Sequence, residues 1–360
     1  MELASERIQK IMKIALDISP LEKGNEHRTR GSGFYLKYLK SSLQQYASNE
    51  EFIYFTRREK IPRDVDIIHL PYFEPFFLTL PSKFDQKTIV TVHDLTPIKF
   101  KDNFPVGIKG NIKWQLQKSR LKKADFIITD SYSSKKDIVE IIKISEKKVK
   151  VIYLAAGEGF TKVCTEDIQA LRKKFALPPK FVLYVGDVTW NKNLPRLVKA
   201  MTKLKLPLVL VGKALSDKNF DRTNPWNKDL LEVHKLIEKA DNIVTLGFVN
   251  NIDLVALYSA ATVFAMPSLY EGFGLPVIEA LQCGTPVITS GEGSLSEVTG
   301  DAAVIADAYS MLDIADKIQK VFLDLALQAD LSEKGIERAK KFTWEKTARQ
   351  TLAVYREAVL

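Results

Sequence analysis

Short apolar segments rich in Val and Ile recur along the chain and alternate with longer stretches of helical periodicity. The first half contains KIALDIS, DIIHLP, TIVTVHD, DFIITDS and VKVIYL, and the second half contains FVLYVGD, PLVLVG, NIVTLGF, VFAMPS and PVITS. A strand that helices cover on both faces is apolar along its whole length, and strands that alternate with helices form βαβ units. The pattern therefore predicts an α/β protein built on parallel sheets.

Residues 155–180 interrupt this alternation, because they contain two glycines and a Pro-Pro pair but no strand candidate. A chain of 360 residues is long enough for about two domains of roughly 150 residues each. We therefore predict two Rossmann-like, doubly wound domains, at residues 11–165 and 175–340. Residues 341–360 have apolar positions at helical spacing and no strand after them. They are predicted to form a terminal helix that packs back across the domains.

The net excess of positive charge lies entirely in the first half of the chain. The net charge is +9, with 33 basic against 22 acidic residues in 1–180 and 20 against 22 in 181–360. A one-sided excess attracts anionic partners such as nucleic acid or a membrane surface. No zinc-finger spacing and no aromatic-basic strand of the RNA-binding type is present, so we expect no nucleic-acid partner. An anionic membrane surface remains the open alternative.

Part of this charge lies in one amphipathic stretch, residues 107–126. Basic and apolar side chains crowd together there: Lys109, Lys113, Lys118, Arg120, Lys122 and Lys123 with Ile108, Ile112, Trp114 and Leu116. A helix that lies in a membrane interface needs both features. A solvated basic helix packed on its own domain explains the pattern equally well, so both interpretations stay open.

Two cysteines, Cys164 and Cys283, are too few for a disulfide framework and lack metal-ligand spacing, which fits a reducing compartment. The N-terminal stretch has no signal-peptide core, and nowhere do about 18 apolar residues run together. We therefore expect a cytoplasmic protein, with peripheral contact to the inner face of the cell membrane as an open possibility.

The stretch SLYEGFGLPVIE combines two carboxylates with a glycine-containing turn between a predicted strand and a predicted helix. Gly272 and Gly274 allow close backbone approach and positive φ, and Pro276 suits a first helical turn. The free N–H groups at such a helix start favour phosphate. Glu271 and Glu279 would then accept hydrogen bonds from sugar hydroxyls. A plain turn with solvated glutamates is the structural alternative.

The longer segment EGFGLPVIEALQCGTPVITS resembles the E-x7-E signature of GT-B glycosyltransferases of the family 4 type, and SLSEVTGDAAVIADAYS is similar to a second stretch of that family. The resemblance implies two Rossmann-like domains that face each other across a cleft, with the nucleotide held by the C-terminal domain and the acceptor by the N-terminal one. It implies that Glu271 contacts hydroxyls of the donor sugar and Glu279 those of the ribose. The amides around Phe273, Gly274 and Leu275 would contact phosphates and sugar.

The segment GDVTWNKNLPRLVKA resembles the phosphate-binding turn of the same family. Lys192 matches the lysine of that turn, whereas Asn191 stands at the arginine position, so one positive charge of the usual pair is missing. The structural alternative is that Asn193 caps a helix beginning at Leu194 while Lys192 faces solvent.

TVHDLTP resembles the H-D-x-x-P element of the family and lies at the end of an apolar strand, where open α/β sheets bind ligands. His93 is therefore expected at the cleft near the donor, with Asp94 as a support residue; a hydrogen-bonded structural histidine is the alternative. RGSGFYLKYL resembles the family's glycine-rich loop, in which Gly31 and Gly33 approach the reacting groups. DSYSSKKDI resembles a serine-containing turn, for which we favour a helix cap.

Asp64 and Asp66 form an Asp-x-Asp pair of the kind that holds a divalent ion in the other large glycosyltransferase architecture. They precede a strand, which is the wrong end for a site. We therefore expect no metal site and no cofactor, and the nucleotide-diphosphate sugar is a substrate.

The resulting hypothesis is a retaining hexosyltransferase that moves a sugar from a UDP- or GDP-linked donor to a glycan or lipid-linked acceptor in surface polysaccharide assembly. His93, Glu271 and Lys192 are the candidate catalytic residues. The candidate donor-binding residues are Gly31, Gly33, Asn191, Phe273, Gly274, Leu275 and Glu279. Two alternatives stay open: a sugar-nucleotide epimerase or hydrolase on the same fold, and a non-catalytic membrane-docked subunit.

Overall fold

The computed structural model describes residues 11–22 and 31–360. Its first sheet contains β1 (Lys13–Asp17), β2 (Glu51–Phe55), β3 (Ile67–Leu70), β4 (Lys87–Thr91), β5 (Phe126–Thr129) and β6 (Val149–Val151). The second contains β7 (Val182–Val185), β8 (Leu208–Val211), β9 (Ile243–Gly247), β10 (Val263–Met266), β11 (Val287–Ser290) and β12 (Ala303–Ala306). Every strand pair of the described chain is parallel. The predicted fold class, two Rossmann-like domains, is confirmed.

Helices follow most of the strands. They are α1 (Gly31–Tyr46), α2 (Thr96–Lys99), α3 (Ile108–Leu121), α4 (Tyr132–Ile138), α5 (Thr165–Phe175), α6 (Leu194–Leu204), α7 (Lys213–Ser216), α8 (Lys228–Ile237), α9 (Asn251–Ala260), α10 (Leu275–Gln282), α11 (Leu295–Thr299), α12 (Met311–Leu323), α13 (Leu325–Ala339) and α14 (Trp344–Val359). A short 3₁₀ turn at Trp190–Lys192 precedes α6.

The strand order of each sheet reverses at one point. The orders are β2-β1-β3-β4-β5-β6 and β12-β11-β10-β7-β8-β9. In the second sheet the chain leaves β7 toward β8 and β9, then returns to the other side of β7 with β10. Ligands of open α/β sheets bind beyond the carboxyl ends of the strands at such a switch point. A ligand site is therefore expected at the turns that follow β7 and β10.

Two strands were not predicted from the sequence, and both are edge strands. Within residues 11–22 and 31–360, β2 pairs only with β1, and β12 only with β11. Their residues are largely half-exposed, whereas central strands such as β8 and β10 are buried throughout. The other two edge strands, β6 and β9, are also half-exposed and were predicted, so exposure alone does not explain why β2 and β12 were missed.

The connection between the sheets contains α5, which fell between the two predicted domain ranges. This helix packs against α9, and the backbone N–H of Val163 just before it donates to the hydroxyl of Ser259 at 3.2 Å. The helix therefore belongs with the second sheet.

The final helix, α14, returns from the second domain to the first. It packs on α1 and contacts β3, β4 and β5. The hydroxyl of Tyr355 lies 2.7 Å from Nδ1 of His69, and Nε2 of His69 lies 2.9 Å from the hydroxyl of Thr91. Burial lowers the pKa of His69 to about 3, so its ring is neutral and both nitrogens are occupied by hydroxyl partners.

We predict that Tyr355→Phe destabilises the protein by about 1–3 kcal/mol, because it leaves a buried nitrogen of His69 without its partner. Both side chains are completely buried. Urea unfolding of the full chain measures the change. Tyr309→Phe is the matched control, since Tyr309 is 59% exposed. Equal stability of the two variants would contradict the prediction.

Candidate active site

The turns after β7 and β10 meet because these strands are neighbours, with Leu183 paired to Phe264. The N–H of Leu269 donates to the carbonyl of Asn191 at 2.7 Å. Next to this contact, Nζ of Lys192 donates to both carboxylate oxygens of Glu271 at 2.8 Å. The switch point thus holds a bidentate ion pair whose members lie 79 residues apart in sequence.

This ion pair is shielded from solvent. The side chains of Lys192 and Glu271 are 19% and 7% exposed, which excludes the structural alternative of a solvent-facing Lys192. Burial lowers the pKa of Lys192, but the charge of Glu271 and its hydrogen bond outweigh that effect, and the pKa is raised. Asp187 and Asp94 act in the same direction. The cleft therefore carries a fixed ammonium group among carboxylates.

Asn191 and Asn193 shape this turn. Nδ2 of Asn191 donates to the carbonyl of Tyr270 at 3.0 Å, and its Oδ1 accepts from the hydroxyl of Thr189 at 2.8 Å. The structural alternative, in which the side chain of Asn193 caps α6, is also excluded: its Nδ2 donates to the carbonyls of Pro267 and Ala308 at 2.8 and 2.7 Å. Both amides connect neighbouring strand ends, which a local capping pattern does not reveal.

The two glycines that follow Glu271 are each required by the local geometry, for different reasons. Gly274 precedes α10 with φ +90°, a region that side chains rarely adopt. At Gly272, a Cβ atom would lie 2.7 Å from Cβ of Asp94 in the other domain. The Phe273 ring is buried against Tyr153 and Phe342, so only its backbone is available to a ligand.

Glu279 lies on the first helical turns after this loop and lines a cavity of about 520 Å³ between the two domains. The cavity is also lined by Gly31 and Trp344 from one side and by Leu275, Asp187 and Lys213 from the other. Burial raises the pKa of Glu279 to about 7, although the hydroxyl of Tyr258 donates to its Oε2 at 2.8 Å and lowers it. A hydroxyl-rich ligand in the cavity would find an acceptor that ionises near neutral pH.

Gly31 and Gly33 do not lie in a loop, in contrast to the expectation. They form the first turn of α1, where Gly31 faces open space beside the cavity and Gly33 is buried in the helix packing. Arg30, the start of the expected loop, and the rest of 23–30 lie outside the described residues.

His93 follows β4, and the next strand of the sheet supplies its partner. The register pairs Thr91 with Ile128, so residues two positions further along, His93 and Asp130, face each other. Nδ1 of His93 lies 2.7 Å from Oδ2 of Asp130. Nε2 of His93 is buried and has no hydrogen-bond partner among the described residues.

Burial lowers the pKa of His93, but the charge of Asp130 and its hydrogen bond more than compensate, and the pKa is raised. A carboxylate on one ring nitrogen leaves the other as a free donor when the ring is charged. Sequence reasoning missed Asp130, although its position at the end of a neighbouring strand was a usable signal.

Several contacts join the Glu271 loop to the first domain. Ser131 caps α4 as predicted, accepting from the N–H of Ser134, and its hydroxyl also donates to the carbonyl of Gly272 at 2.7 Å. The hydroxyl of Tyr270 donates to Asp137, which in turn pairs with Lys99 at 2.8 Å. No sequence signal pointed to this cluster, because its members come from both domains.

The Asp-x-Asp pair holds the start of the first sheet together. Asp66 accepts from the backbone N–H of Lys13 at 2.9 Å, and Asp64 accepts from its ammonium group at 2.8 Å. Within residues 11–22 and 31–360, no three His, Cys, Asp or Glu side chains converge in a way that could hold a metal ion.

Comparison with known proteins identifies the family of this chain. The model for glycosyl transferases group 1 matches residues 167–338, and that for glycosyltransferase family 4 matches residues 18–155. The chain is 30% identical over 295 residues to the O-antigen chain mannosyltransferase B of Escherichia coli, covering 79% of this chain and 74% of the relative. It is also 30% identical over 275 residues, 73% of its length, to the serotype-specific mannosyltransferase WbdA of Escherichia coli, but spans only 32% of that longer protein.

Solved structures share the architecture. Sucrose-phosphate synthase from Thermosynechococcus elongatus superposes with a TM-score of 0.76 at 23% identity, covering 96% of this chain and 98% of that chain. Alr3699/HepE from Anabaena, solved in complex with UDP-glucose, superposes with a TM-score of 0.71 at 18% identity, covering 95% and 100%. At these identities the likeness establishes the fold.

We predict that Asp130→Asn lowers the pKa of His93, because the imidazolium loses the adjacent carboxylate. NMR titration of the histidine rings measures it, and His93→Gln identifies the resonance among the four histidines. Asp94→Asn is the internal comparison, since Asp94 raises the pKa of His93 less than Asp130 does. An unchanged pKa in Asp130→Asn would refute the pairing.

Proposed function

Because the chain belongs to the GT-B glycosyltransferases of family 4, and is therefore a transferase enzyme, we propose that it moves a hexosyl group from a nucleotide-diphosphate sugar to a glycan or lipid-linked acceptor with retention of configuration. One relative acts on the O-antigen chain and one structural neighbour is named with UDP-glucose, which supports a nucleotide-sugar donor and a role in surface polysaccharide assembly. In this proposal the enzyme works in the cytoplasm, at the inner face of the cell membrane.

The observation that carries the proposal is the buried Lys192–Glu271 pair, whose ammonium group interacts with Asp187 on the wall of the cavity that Glu279 also lines. The ribose is assigned to Glu279, whose carboxyl accepts from hydroxyls when ionised. The diphosphate is assigned to Lys192 and the N-terminus of α10, where free N–H groups favour phosphate. The sugar then extends toward Glu271 and His93.

Lys213 compensates in this proposal for the positive charge that Asn191 does not supply. The amide of Asn191 is already engaged with Tyr270 and Thr189. Lys213 is the only basic side chain that lines the cavity within the described part of the chain, and it is exposed and free of an ion pair there. A nucleoside diphosphate carries enough charge to interact with both lysines.

The reaction we propose is a front-face displacement. The bond between the anomeric carbon and the β-phosphate oxygen breaks as the acceptor oxygen forms the new bond on the same face, and the acceptor proton passes to the departing phosphate. Glu271 is held by two hydrogen bonds from Lys192, which makes it a poor nucleophile and a good anchor for sugar hydroxyls. Lys192, and His93 when its ring is protonated, stabilise the negative charge that develops on the leaving group.

A screen of nucleotide-sugar donors by thermal shift, followed by product analysis with and without acceptor, tests the function. A bound donor at 100 times its dissociation constant stabilises by about 2.7 kcal/mol. Transfer to a glycan acceptor with the anomeric configuration retained supports the proposal. Free sugar as the main product in the presence of acceptor would refute it.

We predict that replacing Glu279 and replacing Glu271 change different kinetic parameters. Glu279→Ala raises KM and weakens binding of the free diphosphate by roughly tenfold to a hundredfold, since it removes a charge-assisted contact present before and during reaction. In the wild type this affinity rises as pH increases through about 7, because the raised pKa of Glu279 makes its carboxyl ionise there. Glu271→Gln mainly lowers kcat, because the carboxylate of Glu271 contacts the migrating sugar in this proposal.

Lys192→Ala impairs both kcat and KM, since the charge of the diphosphate grows as it leaves. Calorimetry with the free diphosphate and steady-state kinetics separate these effects. Glu333→Gln, an exposed glutamate on α13, is the control and keeps wild-type values. Near-normal turnover of all three site variants would leave the proposed site without support.

We also predict that transfer needs no divalent metal and survives EDTA. Asp64 and Asp66 are engaged with Lys13 at the opposite end of their strand, and Lys192 supplies positive charge to the diphosphate. Initial rates with and without chelator check this. Loss of activity that magnesium or manganese restores would overturn it.

A further inference from the structure

Helix α3 presents two opposite faces. Trp114, Gln117 and Leu121 are buried against the first domain. Ile108, Ile112 and Leu116 are 81%, 56% and 44% exposed. At about 100° per residue these two sets lie on opposite sides of the helix. The three apolar side chains of the second set therefore point into solvent and not into the core.

The loop beside α3 adds two more apolar side chains, Phe77 and Leu78, which are 63% and 50% exposed. Buried Gln117 fixes this loop: its Nε2 donates to the hydroxyl of Thr79 at 2.6 Å, and its Oε1 accepts from the N–H of Leu80 at 3.3 Å. The five exposed side chains form what we call the α3 ridge: Phe77, Leu78, Ile108, Ile112 and Leu116.

The α3 ridge is surrounded by positive charge. The helix contains four basic and no acidic residues, and Nζ of Lys113 lies 5.5 Å from the centre of the Phe77 ring. Lys109 and Lys113 flank the apolar stripe on one side and Lys118 on the other, from their positions around the helix. The pKa of Lys118 is lowered by burial and then by the nearby cations Lys122 and Lys143.

Exposed apolar residues elsewhere lack this charge. Ile252 is 84% exposed but is followed by Asp253, and Leu323 and Leu325, 68% and 67% exposed, flank Asp324. Only the α3 ridge, among the exposed apolar groups of the described chain, combines bulky side chains with a purely basic helix. This combination is complementary to an anionic bilayer.

The α3 ridge also lies close to the cleft between the domains. Just before α3, the carbonyl of Pro105 accepts from Nε1 of Trp226 in the second domain at 2.9 Å. The ring of Phe76, next to Phe77, lies 6.1 Å from that of Trp226. Phe104 similarly approaches Trp190, in the turn that contains Lys192, at 6.2 Å.

We propose that the α3 ridge rests on an anionic membrane, with its apolar side chains at the headgroup boundary and its lysines against acidic lipids, so that a lipid-linked acceptor reaches the cleft from the bilayer. No helix of the described residues is long and apolar enough to cross a membrane, so the contact is peripheral at this surface. The lipid contact stands on the ridge itself, and only the nature of the acceptor rests on the proposed function.

Flotation of the full chain with phosphatidylcholine vesicles, with and without phosphatidylglycerol, tests the contact. We expect co-flotation with anionic vesicles at low salt and little binding to neutral ones. Replacing Lys109, Lys113 and Lys118 by Gln lowers the partition coefficient roughly a hundredfold, at about fivefold for each lysine. The control replaces Lys203, Lys205 and Lys239, three exposed lysines of the second domain, and keeps wild-type binding.

A second pair of variants tests the apolar component. Replacement of Ile108, Ile112 and Leu116 by Ser abolishes flotation, whereas replacement of Ile252, Leu323 and Leu325 by Ser does not. Equal binding of the ridge and control variants, or failure of the wild type to bind anionic vesicles, would overturn the proposal. So would retention by a soluble polyanion such as heparin without vesicle binding, which would indicate a nucleic-acid or protein partner.

Transfer assays separate this proposal from the enzymatic one. The ridge variants keep transfer to a short water-soluble acceptor and lose transfer to an acceptor anchored in vesicles. Vesicle binding without any sugar transfer would refute the proposed function and leave the membrane contact intact. Equal loss of transfer to soluble and anchored acceptors would refute the role of the ridge in acceptor delivery.

Discussion

A lysine and a glutamate removed from water stabilise each other only while both are present, because either charge alone in such a site is strongly unfavourable. Lys192 and Glu271 meet this condition at the point where the second sheet reverses its strand order. The pairing of β7 with β10 brings them together, and the hydrogen bonds of Asn191 and Asn193 fix the two turns around them. Under the proposed function, an incoming diphosphate encounters an ammonium group that is already oriented and partly neutralised, so its binding redistributes the contacts of Glu271 rather than creating a site.

The same loop connects the site to the other domain. The carbonyl of Gly272, next to Glu271, accepts hydrogen bonds from Ser131 and Ser134, and the hydroxyl of Tyr270 contacts Asp137 and Lys99. Any separation of the two domains breaks these contacts and exposes the backbone groups beside the ion pair. The position of Glu271 and the relative position of the domains are therefore coupled through a few atoms of one turn. Because Gly272 also lies against Asp94, a larger residue there would push the domains apart.

The sequence allowed the fold class to be predicted because buried parallel strands are apolar along their whole length, as in β8 and β10. It did not reveal β2 and β12, although their segments EFIYF and AVIA are apolar too; the segment of β12 was interpreted only as part of a family motif. Loop residues matched to a family motif, such as Glu271 and Lys192, could be named, but their mutual contact could not, because it depends on strand order. Asp130 became visible only through the register between β4 and β5. The actual contacts of Asn193 could not be predicted either, because capping is a common use of Asn before a helix, whereas here two tertiary carbonyls accept from its amide.

The two glutamates of one short segment illustrate how environment divides the roles of identical side chains. Glu271 faces an ammonium across the switch point and is hydrogen-bonded by it through both oxygens. Glu279, in the second turn of α10, has no cation next to it among the described residues; burial raises its pKa to about 7, and its hydrogen bond comes from the neutral hydroxyl of Tyr258. Two carboxyl groups whose surroundings differ in this way interact differently with charged groups and with hydroxyl donors. The spacing of seven residues along a turn and a helix is what brings one group to the ion pair and the other to the cavity, so the motif encodes two environments rather than a pair of equivalent ligands.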